Sequence, residues 1–216
     1  EGFFLRDKHI ARLLDSAEYF DFPISSQLRW SSSPARAERS DSQVEVSRDV
    51  SRPSLPKEIL ESYLNEISSQ FNSPQRVRLL LNKNGDLNHE AKPFQQMLQP
   101  PSSAAGTPPK ANMKVSLAKQ PIDSNNVFLF HKTTHREMYE AARKDFPDCD
   151  DVLLYNERGE LTEFTLGNLV VEMDSKLYTS PISCGLLAGT FREYLIETGQ
   201  VEERVILMDE IEKCGK

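Results

Sequence analysis

The chain is expected to adopt a mixed α/β (α+β) fold in two domains. Three observations predict it. Two segments of the first half carry apolar residues at helical spacing; both halves carry short extended runs separated by tight-turn residues; and a polar connector at 120–126 divides them. The expected layout is a small N-terminal domain at 1–119 and a second domain at 127–216.

In the first half, residues 5–20 read as an amphipathic helix, with Ile10, Leu13, Leu14 and Ala17 on one stripe and Asp7 placed to cap its start. Residues 31–52 are rich in serine, arginine and glutamate and nearly free of large apolar residues, so they cannot bury enough surface to offset their ordering entropy and read as a flexible insertion. Pro56 opens a second helix whose Ile59, Leu60, Tyr63, Leu64, Ile67 and Phe71 form a core face. Residues 76–82 alternate, with Val77, Leu79 and Leu81 on one face, and Asn84-Gly85 signals the turn of a hairpin. The proline-rich run at 99–112 is a second expected insertion.

Residues 115–118 form a short expected strand. Val127 to Phe130 is expected to be the strand that delivers Lys132 into a helix, with Thr134 and Glu137 as its capping box and Pro147 closing it. Runs at 151–156 and 160–165 flank the turn Glu157-Arg158-Gly159. With the extended pieces 168–173 and 176–179 they predict an antiparallel meander. A helix at 189–198 is stopped by Gly199, and 204–207 is the last expected strand.

The net charge of −7, without a basic cluster interleaved with aromatics, argues against a nucleic-acid or acidic-membrane partner. Three widely spaced cysteines, Cys149, Cys184 and Cys214, form no C-x-x-C pair and point to a reducing, cytoplasmic setting. No apolar run approaches a membrane span, and Arg6, Asp7 and Lys8 stand where a signal peptide would be greasy. The chain begins without methionine and stops within a helix-like segment, as expected of part of a longer protein. HExxH, P-loop and G-x-S-x-G motifs are lacking and the four histidines are scattered, which leaves metalloenzyme, nucleotide and serine-hydrolase chemistry unsupported.

Lys132 is the candidate reactive amine. A lysine held at a strand-to-helix corner and partly buried loses preference for the ammonium form and becomes nucleophilic, although by itself such a residue reads as a solvated turn lysine. Three segments alter that reading: His131-Lys132-Thr133-Thr134-His135-Arg136, the run from Leu153 to Val170 containing Glu163 and Gly167-Asn168, and Cys184-Gly185-Leu186-Leu187-Ala188-Gly189-Thr190-Phe191-Arg192. Together, in this order, they resemble the class IV aminotransferase family, the fold-type-IV pyridoxal-phosphate enzymes. The lysine segment is most similar to the 4-amino-4-deoxychorismate lyases, including the modules fused to aminodeoxychorismate synthases.

The resemblance implies a small α/β domain and a larger, mainly antiparallel domain, with the site at the interface between them. It implies pyridoxal 5'-phosphate as cofactor, a small-molecule substrate, and a homodimer or a fused synthase as assembly. Lys132 would bind the cofactor aldehyde and move the substrate proton, Glu163 would hold the pyridine nitrogen, and Asn168 and Leu187 would complete that side. Gly189 and the amides of Thr190 and Phe191 would receive the phosphate at a helix start, with Arg12 reaching it from the first domain. Family transaminases often carry a threonine hydroxyl where this chain has Phe191. Arg78 and Tyr139 are the implied substrate-side residues. The family's opening strand and a later phosphate-binding segment have no counterpart in this sequence. A branched-chain or D-amino-acid aminotransferase, and a non-catalytic module within a longer polypeptide, are the alternative readings.

Overall fold

A computed structural model describes residues 3–22, 57–94 and 113–213. The expected insertions at 31–52 and 99–112 lie outside the described residues. The backbone separates into two compact units, Glu1–Ala105 and Gly106–Lys216.

The first unit contains α1 (Arg6–Tyr19), α2 (Lys57–Ser69), β1 (Gln75–Leu81) and β2 (Leu87–Pro93). Ile10 from α1, Leu60, Tyr63, Leu64 and Ile67 from α2, and Leu87 from the hairpin make one buried cluster, with Val77, Leu79 and Leu81 packed against it. Each such side chain contributes on the order of 1.5–3 kcal/mol by leaving water. The helical stripes read from the sequence are therefore core. The start of α1 is different from expectation: Leu5 occupies the cap position in a left-handed conformation without a side-chain cap. Asp7 lies inside the first turn, where it pairs with Lys57 at 3.4 Å. Strands β1 and β2 pair antiparallel from Gln75↔Pro93 to Leu81↔Leu87, and Asn82 closes the turn by accepting from the amides of Asn84 and Asp86.

The second unit carries β3 (Val115–Leu117), α3 (Glu137–Lys144), β4 (Asp151–Tyr155), β5 (Leu161–Phe164), β6 (Val171–Met173), β7 (Lys176–Thr179), α4 (Thr190–Glu197) and β8 (Glu202–Glu203). Its strands form two three-stranded sheets, β3-β4-β5 and β6-β7-β8. Both sheets are mixed: β4–β5 and β6–β7 are antiparallel, as the meander predicted, whereas β3–β4 and β7–β8 are parallel. The 120–126 segment joins the first sheet through a bridge between Ile122 and Asn156. Leu129, Val152, Leu154 and Tyr139 share one buried cluster and Leu153, Leu161, Val171 and Ile206 another, so β4 is covered on both faces.

Three local expectations are corrected. Val127–Leu129 is a 3-10 turn, not a strand, because the side chain of Asn126 accepts from the Phe128 amide and starts a helical turn. The capping box at Thr134 does not form: α3 begins at Glu137 behind Arg136, and Thr133 Oγ1 instead accepts from the His135 amide at 3.2 Å. The last strand is Glu202–Glu203 and not 204–207, because β7 pairs with those two residues while Ile206 turns its carbonyl to the Leu161 amide.

Gly199 does stop α4. Its φ of 68° lets its amide reach the Ile196 carbonyl and that of Gln200 the Leu195 carbonyl, the paired bonds of a Schellman ending. Among the described residues no helix is long and apolar enough to cross a membrane, and no group of three or more His, Cys, Asp or Glu is placed to hold a metal.

Candidate active site

The site is built on the turn that follows β5. Phe164 donates its amide to the Gly167 carbonyl, and Glu163 and Asn168 bridge as cross-strand neighbours, so two polar side chains five residues apart share one face. The turn is held from outside. Buried Asp151 accepts from the Thr165 hydroxyl and the Leu166 amide, Arg143 pairs with Asp151 at 3.3 Å, and Arg136 Nη2 donates to the Thr165 carbonyl at 2.6 Å.

Glu163 is only 4% exposed. Its Oε1 accepts from the Tyr139 hydroxyl at 2.7 Å and its Oε2 from Asn168 Nδ2 at 3.2 Å. Burial raises its pKa to about 7, opposed by the Tyr139 hydroxyl, the Leu187 amide and the charges of Lys132 and Arg136. The same burial and the neighbouring carboxylate push the Tyr139 phenol upward, so Tyr139 stays a donor. The carboxylate is thus desolvated and close to its own titration point at neutral pH.

Lys132, Arg136, Tyr139 and Leu187 line one small pocket with Phe128, His131, Thr133 and His135. Lys132 is exposed at its rim rather than partly buried at a strand end, because the 3-10 turn carries the chain out of the core before residue 132. Asn168 Nδ2 also donates to the Leu187 carbonyl at 2.8 Å, which ties the Glu163 turn to the segment leading into α4. Gly189 is the cap residue of α4, Thr190 is buried, and Phe191 is 53% exposed and stacks on Tyr194 at 6.1 Å. Buried Arg192 anchors that helix by donating to the Ser180 carbonyl at 2.7 Å and pairing with Glu203. Among the described atoms its Nε and the Ser180 hydroxyl have no hydrogen-bond partner.

The second unit therefore gathers Lys132, Tyr139, Glu163, Asn168, Leu187 and the start of α4 around adjoining segments. Arg12 and Arg78 belong to the first unit. Arg12 lies on α1 with Nη2 3.5 Å from His9 Nδ1, and Arg78 is an exposed strand residue 3.6 Å from Glu90. Sequence reasoning missed Arg136, whose guanidinium lies 4.5 Å over the Tyr139 ring while it grips Thr165. The i, i+3 spacing of Arg136 and Tyr139 was the available signal.

A family model described as "Amino-transferase class IV" matches residues 1–216. The chain belongs to the class IV aminotransferases. It is 34% identical over 152 residues to a Schizosaccharomyces pombe protein provisionally named aminodeoxychorismate lyase, a match covering 68% of this chain and 61% of the relative. It is 27% identical over 186 residues to the aminodeoxychorismate lyase of Saccharomyces cerevisiae, covering 68% of this chain and 49% of that one. The chain thus spans about half to three fifths of the length of these curated relatives. Among solved structures, a provisionally assigned amino-acid aminotransferase from Mesorhizobium loti superposes with a TM-score of 0.69 at 29% identity, covering 98% of this chain and 84% of that one. These class IV aminotransferases share the fold-type-IV architecture, and the mixed α+β arrangement of helices and sheets described above is that fold.

Proposed function

We propose that this chain carries out pyridoxal-phosphate-dependent cleavage of 4-amino-4-deoxychorismate to 4-aminobenzoate and pyruvate, as a soluble cytoplasmic protein acting as a homodimer or within a fused synthase. The observation that carries the reading is Glu163: a carboxylate almost fully withdrawn from water, held by two side-chain donors and under the charge of the pocket lysine. A desolvated carboxylate suits a ring nitrogen that must stay protonated, so the donor set fits the cofactor. The lyase branch is favoured by the names of the two fungal relatives.

When bound, pyridoxal phosphate supplies an electron sink for the substrate carbon that bears nitrogen. Lys132, exposed and lining the pocket, would hold the cofactor through its aldehyde carbon. The Lys132 amine would take the proton from the ring carbon bearing nitrogen. The enolpyruvyl oxygen leaves from the neighbouring carbon, the ring becomes aromatic, and the released enol gains a proton to become pyruvate. Glu163 would hold the ring nitrogen, Leu187 borders the pocket, and the amides of Thr190 and Phe191 with Gly189 would receive the phosphate at the start of α4. Tyr139 lines the same pocket and donates its hydroxyl to Glu163.

The test is a paired assay with the purified chain and added pyridoxal phosphate. Formation of 4-aminobenzoate with an equal amount of pyruvate from 4-amino-4-deoxychorismate supports the proposal. Amino transfer to 2-oxoglutarate without either product would assign an aminotransferase instead, and neither reaction would leave a non-catalytic module.

A further inference from the structure

Gly189 is a glycine for a reason its backbone does not supply. Its φ is −69°, a value open to any residue, so no left-handed geometry demands glycine there. Space does. An ideal Cβ built on Gly189 would lie 1.9 Å from Asn168 Oδ1 and 3.1 Å from Asn168 Cγ. The place where residue 189 would keep a side chain is already filled by the amide of Asn168. That same amide turns its nitrogen to Glu163 at 3.2 Å and to the Leu187 carbonyl at 2.8 Å. A methyl group there forces Oδ1 aside, and with it the planar amide whose nitrogen makes both of these bonds.

We propose that Gly189 is a positioning residue: its missing side chain seats the Asn168 amide, which with the Tyr139 hydroxyl fixes the orientation of the Glu163 carboxylate. Each Glu163 oxygen then receives one side-chain donor, Oε1 from α3 and Oε2 from the far side of the turn, and with the Leu187 amide these restrain the carboxylate about its last torsion. Tyr139 is reassigned from substrate contact to this grip, because its hydroxyl is already spent on Glu163. That the restrained carboxylate faces a cofactor ring nitrogen rests on the function proposed above; the seat itself does not. The rival account is that Gly189 serves only close approach of a phosphate to the helix start, which makes the identity of residue 168 irrelevant.

A double-mutant cycle separates the two. Gly189→Ala, Asn168→Ala and the double variant are prepared without cofactor, together with Tyr139→Phe. The titration of Glu163 is followed by carbon-13 NMR of the labelled carboxyl, and unfolding by urea. Loss of a donor disfavours the carboxylate, so the Glu163 midpoint moves to higher pH in Gly189→Ala, Asn168→Ala and Tyr139→Phe alike. Alanine at 189 adds little once Asn168 has been removed. Gly189→Ala failing to fold while the double variant folds is the same result in stronger form. An unmoved midpoint in Gly189→Ala, or equal effects of Gly189→Ala with and without Asn168, overturns the proposal, as does loss of folding in both.

A second arm titrates pyridoxal phosphate and phosphate-free pyridoxal. The seat predicts that Gly189→Ala weakens both, by roughly tenfold for one lost charged hydrogen bond, whereas a phosphate-only role weakens the first alone. Wild-type protein that binds neither refutes the cofactor reading, while the cofactor-free cycle still decides the seat.

Discussion

Replacing Glu163 by glutamine removes one titration that the fold makes unusual, and its thermodynamic trace follows from the geometry. The carboxyl is 4% exposed, and burial moves its pKa from an ordinary 4.5 to about 7. Between those values the native state binds a proton that the unfolded chain has released. Stability therefore falls as pH rises through this window, and the contribution present below about pH 4.5 is gone just above pH 7. The interval at about 1.36 kcal/mol per pH unit sets a ceiling of roughly 3 kcal/mol. Glutamine cannot titrate. Its oxygen can keep the bond from Asn168 Nδ2 while its NH2 donates to the Tyr139 hydroxyl, which then accepts, and whatever offset this exchange carries does not vary with pH. Urea unfolding of the cofactor-free protein at several pH values between 4.5 and 8 is the assay. The difference in stability between wild type and Glu163→Gln should shrink in wild type's disfavour by up to about 3 kcal/mol across that range. Parallel pH profiles would refute the claim that the carboxyl is desolvated in the fold.

Leu154 on β4 is fully buried, and Leu154→Ala should lower the unfolding free energy by about 2–5 kcal/mol, read from urea midpoints. Arg192→Ala withdraws the donor of the Ser180 carbonyl and the partner of Glu203, so α4 should be destabilised by roughly 2 kcal/mol with a lower melting temperature. Gly199→Ala puts a Cβ at a φ of 68° and should cost about 1 kcal/mol while leaving pyridoxal-phosphate affinity unchanged, as measured by thermal melting and fluorescence titration.

Periodicity made the helices and hairpins legible because their cores are local. Leu60, Tyr63, Leu64 and Ile67 lie on one face of one helix, and Asn82 to Asp86 closes its own turn. The parallel pairings were not legible: Val115 meets Asp151 and Tyr178 meets Glu202 across long intervening stretches, and nothing in either strand names its partner. The 3-10 turn before Lys132 was hidden because an apolar four-residue run suits strand and helical turn alike, and a single Asn126 side-chain bond decides between them. At the site, the wording of three segments singled out Lys132, Glu163, Asn168 and Gly189, but not how they act on one another. The Tyr139–Glu163 bond joins residues 24 apart, and Asn168 fills the space that a Cβ on Gly189, 21 residues on, would need. Such contacts follow from packing and leave no periodic trace.

The account's central claim is tested most directly by covalent trapping. Wild-type protein, Lys132→Ala and Glu163→Ala are incubated with pyridoxal phosphate, reduced with borohydride, digested and mapped by mass spectrometry. The account predicts a pyridoxyl adduct on Lys132 in the wild type, none at a specific site in Lys132→Ala, and weaker labelling of Lys132 in Glu163→Ala. Equal labelling of wild type and Lys132→Ala, or an adduct on another lysine, would contradict it.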